Sequence, residues 1–394
     1  PNEITISNGY FDGNSSDLSS IASGKGGVFY IYNRSTVTVT NTEFVDSSSF
    51  GGGVAWIVNS DDTATFDNCS FDTSLSVGNP GGAIGVRGIS AAPTDLDIQN
   101  SVFIDNMVDS QGGGAISIGS PALLQQNGSL TVSGTSFQNN ATDTSANGHG
   151  GAIFMVTSSS DNVSISNSTF EGNSAYASGG ALYIDGTDEI LIELSSFLEN
   201  EASSPASYDH YGGAIFVNNA SSVEVNNTIF CGNEVNQYSS SYASSGGAFY
   251  GQNISDVSIN NVVFQENLSL AGGGGLAGDI ISTFNLKNNT FIGNSSPEGA
   301  GLWLANTSGT LKNNIFSHSI GSSAHAEDLS TGGDLPTYSG WFQNSSDVSG
   351  FYSVTSGVSG NVSSDPEFQT YSQDGDCSND LLSLATTSLY IDAS

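Results

Sequence analysis

Phe197-Leu198-Glu199-Asn200, Gly212-Gly213-Ala214-Ile215-Phe216-Val217, Val223-Glu224-Val225 and Phe230-Cys231-Gly232-Asn233 follow one another along the chain, and the second Phe-x-x-Asn repeats the first. The same order recurs on both sides. The anchors are Phe11, Phe44, Phe71, Phe103, Phe137, Phe170, Phe197, Phe230, Phe264, Phe291 and Phe316, spaced by about 25 to 34 residues, the period of a solenoid. Asn stands three residues after most of them, as at Asn14, Asn106, Asn140, Asn173, Asn200, Asn233, Asn267 and Asn294, with Ser47, Ser74 and Ser319 in the other units.

Between the anchors the residues alternate, as in Val163-Ser164-Ile165, Val257-Ser258-Ile259 and Leu130-Thr131-Val132. A period of two means strand with one face buried. A second strand follows the glycines (Ala181-Leu182-Tyr183-Ile184, Ala152-Ile153-Phe154-Met155), and a short third one ends at the Phe. No stretch has a helical period. The sequence therefore predicts an all-β fold, a single right-handed parallel β-helix of about 11–12 coils, the hand following from the rule for parallel crossovers. Coils occupy residues 1–317; residues 318–394 form irregular final coils and a C-terminal cap.

Stacking assigns the motif residues physical tasks. Coils about 4.8 Å apart superimpose equivalent residues, so Phe and the Val/Ile/Leu positions form buried columns. Asn tolerates the left-handed conformation of a corner and bonds to its counterparts in neighbouring coils, while Gly-Gly permits a tight turn.

Gly-Gly-Ala-Ile with Phe-x-x-Asn resembles the repeats of the polymorphic outer-membrane proteins, and more widely those of secreted right-handed parallel β-helix proteins, over about residues 4–317. Asp365-Pro366-Glu367-Phe368, with residues 384–394, is similar to an ending found on many bacterial secreted β-helix domains, although its usual Pro and Gly are replaced here. The resemblance implies this fold and an extracellular or cell-surface address. It implies no single activity, because β-helices host lyases, hydrolases, adhesins and inert stalks.

Composition agrees with that address. Five Lys and Arg against 39 Asp and Glu give a formal charge of −34, yet only 11% of residues are charged, so the surface is mostly Ser, Thr, Asn and Gly. Such a surface disfavours nucleic acid and anionic membrane, and no apolar stretch is long enough for membrane insertion as a helix. Pro1 already lies inside a repeat, which reads as a processed chain or a fragment. No cap precedes the first coil, and an open sheet edge invites another chain.

Asn-x-Ser/Thr sequons occur at Asn14, Asn33, Asn68, Asn127, Asn140, Asn162, Asn167, Asn219, Asn226, Asn253, Asn267, Asn288, Asn294, Asn306, Asn344 and Asn361. All are candidates for covalent N-glycans. At Asn140, Asn267 and Asn294 a ladder role competes with a glycan; Asn33, Asn127, Asn162, Asn219, Asn253 and Asn306 follow the Gly-Gly strand and rank first.

Variation in loop length falls between the Asn corner and the next Gly-Gly, and insertions in a solenoid map to one edge. The longest neighbouring ones, residues 201–211 and 234–245, carry Tyr208, His210, Tyr211, Tyr238 and Tyr242. Exposed tyrosines on a rigid scaffold suit carbohydrate stacking or subunit contact; equally, they cover the flank of the tube.

Enzymatic β-helices that cut polyuronates use Ca²⁺ with cationic groups, or several converging Asp. Here Lys25, Arg34, Arg87, Lys287 and Lys312 are scattered over distant coils, as are His149, His210, His318 and His325, and no catalytic residue is assigned. No cofactor is implied apart from a structural Ca²⁺ at Asp374, Asp376 and Asp380. Their alternate spacing is that of a calcium loop, but Ala385 stands where the twelfth-position glutamate belongs and the Gly at position six is missing, and such a run is more often a solvated acidic loop. Cys69 and Cys231 lie five coils apart, about 24 Å, beyond disulfide reach. Cys377 reaches Cys231 only if the chain after the coils folds back; otherwise all three are thiols.

The leading functional expectation is a glycosylated extracellular structural protein, a subunit of a self-assembling filament or fibre shaft that partners with itself end to end. The alternatives are a glycan-binding adhesin domain, contacting glycans or cell-surface receptors, and a polysaccharide lyase or glycoside hydrolase.

Overall fold

The computed structural model describes residues 3–18, 24–32, 36–58, 63–78, 81–87, 94–119, 128–142, 148–157, 160–204, 209–237, 244–327, 339–342, 346–350, 365–372, 377 and 380–384. These build a right-handed parallel β-helix. One sheet of 12 strands carries the Phe anchors, one of 8 carries two-residue strands after the Asn corner, and one of 20 carries the two alternating strands of each coil. Phe sits at the middle of its strand, as in Ser196–Leu198, rather than at its end, and a fourth short strand such as Glu201–Ser204 follows the corner. In three coils the two strands of the large sheet run together, as in Phe249–Asn260.

Register turns repeated residues into columns. Phe170, Phe197, Phe230 and Phe264 pair one above another, with ring centroids 4.8–5.0 Å apart and ring planes within 10°. That spacing is the strand spacing itself, so backbone pairing rather than ring preference sets the stack. The column runs from Phe11 to Trp341, which replaces Phe in the last rung.

The Asn of Phe-x-x-Asn does not adopt the left-handed corner conformation. The residue before it does, as at Asp105, Asn139, Glu199 and Glu266, with φ between 52° and 53°. From Asn106 to Asn294 the Asn instead points inward and is fully buried. Asn173 Nδ2 donates to Asn200 Oδ1 at 2.9 Å and to the Phe137 carbonyl at 3.0 Å, and its Oδ1 accepts from the Asn140 Nδ2 and main-chain N–H, both at 3.0 Å. All four hydrogen-bonding positions of the carboxamide are filled, which is what its burial requires. Asn173→Leu removes the acceptor of the Asn140 N–H and is expected to cost about 2–4 kcal/mol, since each stranded buried group costs about 1–3; a urea midpoint measures it.

A second internal ladder was not foreseen. Ser101, Thr135, Ser168 and Ser195 hydroxyls each accept the main-chain N–H of the equivalent residue one coil below, at 3.0–3.3 Å. Cys69 occupies the same column, a buried thiol whose pKa is pushed up by burial. At the glycine corner, Gly212 has φ +65, and a Cβ on Gly213 would run into the Gly247 carbonyl oxygen of the next coil, so neither position takes a side chain.

Past Phe316 the coil strands continue through Ser322–Glu327, Gly340–Phe342 and Ser346–Gly350. Then the chain folds back. Phe368–Thr370 and Leu381–Leu384 form an antiparallel pair, and Cys377 is bonded to Cys231, with Cα atoms 6.3 Å apart. Of the two alternatives, the fold-back and its disulfide hold rather than three thiols, and Cys69 alone is free. Asp380 accepts from the Ser372 N–H at 2.7 Å and from the Gln265 side-chain amide. The outward residue after each Phe records where this tail lies: Glu171 is exposed and Leu198 half-buried, whereas Cys231, Gln265, Ile292 and Ser317 are buried.

Candidate functional site

Immediately after the glycine corner, residues alternate inward and outward. The inward column is Ile153, Leu182, Ile215, Phe249, Leu276 and Leu302; the outward one is Phe154, Tyr183, Phe216, Tyr250, Ala277 and Trp303. An aromatic stripe thus runs up the outside of the tube, with Tyr183 and Phe216 rings 4.8 Å apart and Phe216 and Tyr250 5.8 Å apart. Residues one position before Gly-Gly lean onto it from the corner: His149 lies 4.4 Å from Tyr183, and Tyr211 4.4 Å from Tyr250.

Ala277 interrupts the stripe. In the same coil the corner position is Gly272, against which Trp303 packs so closely that a Cβ there would meet its ring at 3.0 Å. Ala277 itself is buried beneath Tyr250 and Trp303; beside Gly272, between Tyr250 in the coil below and Trp303 in the coil above, lies a recess of about 460 Å³ also lined by Ala271 and Pro297, inside the roughly 300–1,000 Å³ of small-ligand pockets. Tyr211 and Ser245 close one side; Asp279 and Glu298 supply carboxylates. Asn306 Nδ2 donates to Asp279 Oδ1 at 2.9 Å and fixes it. Burial pushes the Tyr211 hydroxyl up to about 12, and the charges of Asp209 and Asp279 act in the same direction. Burial raises Tyr250 as well, with Tyr211 and Asp279 contributing. Both tyrosines are neutral donors at ordinary pH.

Of the expected binding residues, Tyr211 lines this recess, whereas His210 is fully buried beneath the corner and presents nothing to a ligand. Tyr208, Tyr238 and Tyr242 lie outside the described residues. The recess residues Tyr250, Gly272, Asp279, Glu298 and Trp303 escaped the sequence reading; superimposing the strands after each Gly-Gly would have shown the outward column, aromatic from Phe154 to Tyr250 and at Trp303, with small residues at Gly85, Ser117 and Ala277.

The two histidines have a separate consequence. His210 Nδ1 donates to the Ala177 carbonyl at 3.0 Å, while His210 Nε2 and His149 Nδ1 have no partner. Burial, with some help from His210, lowers His149 to about 4, and burial lowers His210 too. The folded state holds both neutral, and the unfolded chain takes up protons near 6.5. Stability is therefore complete above about pH 6.5 and is lost as pH falls toward 4, by on the order of 3 kcal/mol for His149. Denaturation midpoints at pH 7.5 and 4.5 are expected to differ more for the native chain than for His149→Phe.

The remaining expected sites separate by burial. Asn140, Asn267 and Asn294 are fully buried rungs of the carboxamide ladder, so no glycan fits there and those three sequons are corrected to structural positions. Asn68, Asn162, Asn167, Asn219, Asn253, Asn288 and Asn306 are exposed, and Asn14 and Asn226 partly so. Six of them, Asn68, Asn167, Asn219, Asn253, Asn288 and Asn306, have φ between 49° and 58°, a left-handed corner that favours Asn whatever follows it. Asn33, Asn127, Asn344 and Asn361 lie outside the described residues, as do Asp374 and Asp376. Asp380 is engaged in holding the tail, and among the described residues no group of three or more His, Cys, Asp or Glu is placed to hold a metal. A second groove, about 470 Å³, crosses the first coils beside Tyr10, Glu43, Asn68 and Asn100. Its lining is mixed polar and apolar, and Asn68 there bonds to Asn41 at 2.7 Å. No helix of the described residues is long and apolar enough to cross a membrane.

Residues 167–185, which hold Phe170, Asn173, Gly179 and Gly180, match the Chlamydia polymorphic membrane protein repeat. No curated protein and no solved structure matches the chain. A match to a membrane-protein repeat supports a cell-surface location in general. With the unit stacked in sheets of up to 12 coils, the chain is a right-handed parallel β-helix in which one repeat matches, and the others resemble, the polymorphic membrane protein repeat.

Proposed function

We propose that this chain is a surface-displayed scaffold whose recess at Gly272 binds carbohydrate, an adhesin-type module rather than an enzyme. The observation that carries the reading is the recess itself, bordered by aromatic rings of neighbouring coils and by two carboxylates. Tyr211 and Trp303, both half-buried, flank it, and aromatic faces stack on the C–H faces of pyranose rings while hydroxyls and carboxylates orient the sugar hydroxyls. A glycan array probed with the native chain and with Ala271→Phe tests it. Ala271 lines the recess at a half-buried position, so the variant is expected to fold and to lose every glycan signal. Signals that survive the substitution contradict the assignment, and release of reducing ends from a bound polysaccharide contradicts the non-catalytic reading. Glycans are proposed on the exposed sequons; a peptide mass map with all of them unmodified removes that part.

A second reading, end-to-end association into a fibre shaft, draws on the first coil. Among the described residues Glu3–Ser7 pairs on one side alone, with Thr36–Thr40, and Ile4, Ile6 and Phe11 are only partly buried. Such an edge accepts a further coil, from a longer chain or from a second copy. Electron micrographs showing rods with an axial repeat of about 58 Å, 12 coils at about 4.8 Å, support the shaft; separate short particles oppose it.

A further inference from the structure

We propose that the recess selects sugars carrying a free, protonated amine, 2-amino-2-deoxy glycans, over their N-acetylated and neutral counterparts. This rests on the carbohydrate reading above and deepens it. The lining combines the faces of Tyr211, Tyr250 and Trp303 with the carboxylates of Asp279 and Glu298, and contains no Lys, Arg or His. A neutral ring seated there would shield Asp279 from water and give it no counter-charge, which is costly. An ammonium group placed beside Asp279 and Glu298 answers both carboxylates with charge-assisted hydrogen bonds, and the aromatic faces attract the same cation.

Geometry favours an organic cation over a metal ion. Asp279 already accepts from Asn306 at 2.9 Å, and no third acid joins the pair among the described residues, whereas a bare divalent ion wants six or more oxygens. The wider field acts in the same sense. A chain of formal charge −34 concentrates cations at its surface and repels polyuronates. The walls then add shape: small residues in one coil, an aromatic ring in the coil below and another in the coil above accept a flat ring lying across the tube.

The test is isothermal titration of the native chain with fully deacetylated chitotetraose, with its N-acetylated form and with cellotetraose, at pH 6 and low salt. The expected result is at least tenfold tighter binding of the deacetylated tetramer, weakened by 0.5 M NaCl. Asp279→Asn is expected to lower that affinity about tenfold or more, the loss of a charge-assisted bond, with an unchanged melting temperature. Should Asp279→Asn fail to fold, Glu298→Gln, at an exposed position, is expected to lower affinity in the same direction. Equal binding of all three tetramers, unaffected by either substitution, overturns the amine selectivity and leaves the carbohydrate reading standing. Absence of binding by any oligosaccharide, here and on the array, overturns both.

Discussion

Phe197→Ala is expected to destabilise the protein by about 3–5 kcal/mol, the range for deleting a buried aromatic ring and leaving a cavity. Phe197 is fully buried, with Phe170 4.8 Å below it and Phe230 4.9 Å above. Neither neighbour can close the gap, because each is held in register by its own strand pairing. The loss also interrupts the column in mid-tube, where each coil is stabilised through the coils beside it. Phe11→Ala is the comparison. Phe11 is only partly buried and stacks on Phe44 from one side, at 5.3 Å, so its removal is expected to cost half as much or less. Urea denaturation of both variants measures the difference; equal costs would mean that the column does not carry the stability assigned to it.

Removing the Cys231–Cys377 disulfide is expected to release the folded-back tail. The bond closes a sequence separation of 146 residues, and loop entropy alone gives it on the order of 4–5 kcal/mol. Among the described residues the tail also meets the coils where Asp380 bonds to Gln265 and where Tyr371 lies beside His318 with rings 5.2 Å apart. Cys377→Ser should therefore leave the coils paired while Gln265, Ile292 and Ser317, now buried, regain solvent. Hydrogen exchange is expected to rise over residues 365–384 and over the strands of those three residues. An unchanged exchange pattern would show that the hairpin docks without the bond.

Much of this was legible in the sequence because a solenoid repeats its physics. Phe at a fixed interval can only be a column once coils stack, and alternation in Val223-Glu224-Val225 fixes one inward face. The Asn ladder was foreseen, but its backbone was misassigned: the positive φ belongs to Glu199, not Asn200, because the ladder needs Asn200 to point inward while the corner needs the preceding residue to turn. The hydroxyl ladder was hidden because Ser101, Thr135 and Ser168 are indistinguishable by composition from surface Ser and Thr. Six exposed sequons owe their Asn to left-handed corners, so their abundance speaks less directly for glycans than it did in the sequence alone. The recess was out of reach for a different reason. Its defining feature is an absence, the missing side chain of Gly272, and an absence acquires meaning only when the aromatic residues of neighbouring coils are superimposed. The tail, lastly, depends on a contact between Cys231 and Cys377 that no repeat encodes.

The most direct test of the central claim, that the recess at Gly272 is a ligand site, is a titration of Trp303 emission with sugar oligomers in the native chain and in Ala271→Phe. Trp303 borders the recess, whereas Trp56 and Trp341 are buried elsewhere in the tube. The account predicts a saturable change in emission that is lost in Trp303→Phe and in Ala271→Phe. An emission that stays flat with every oligomer, or a change that persists in Ala271→Phe, would contradict it.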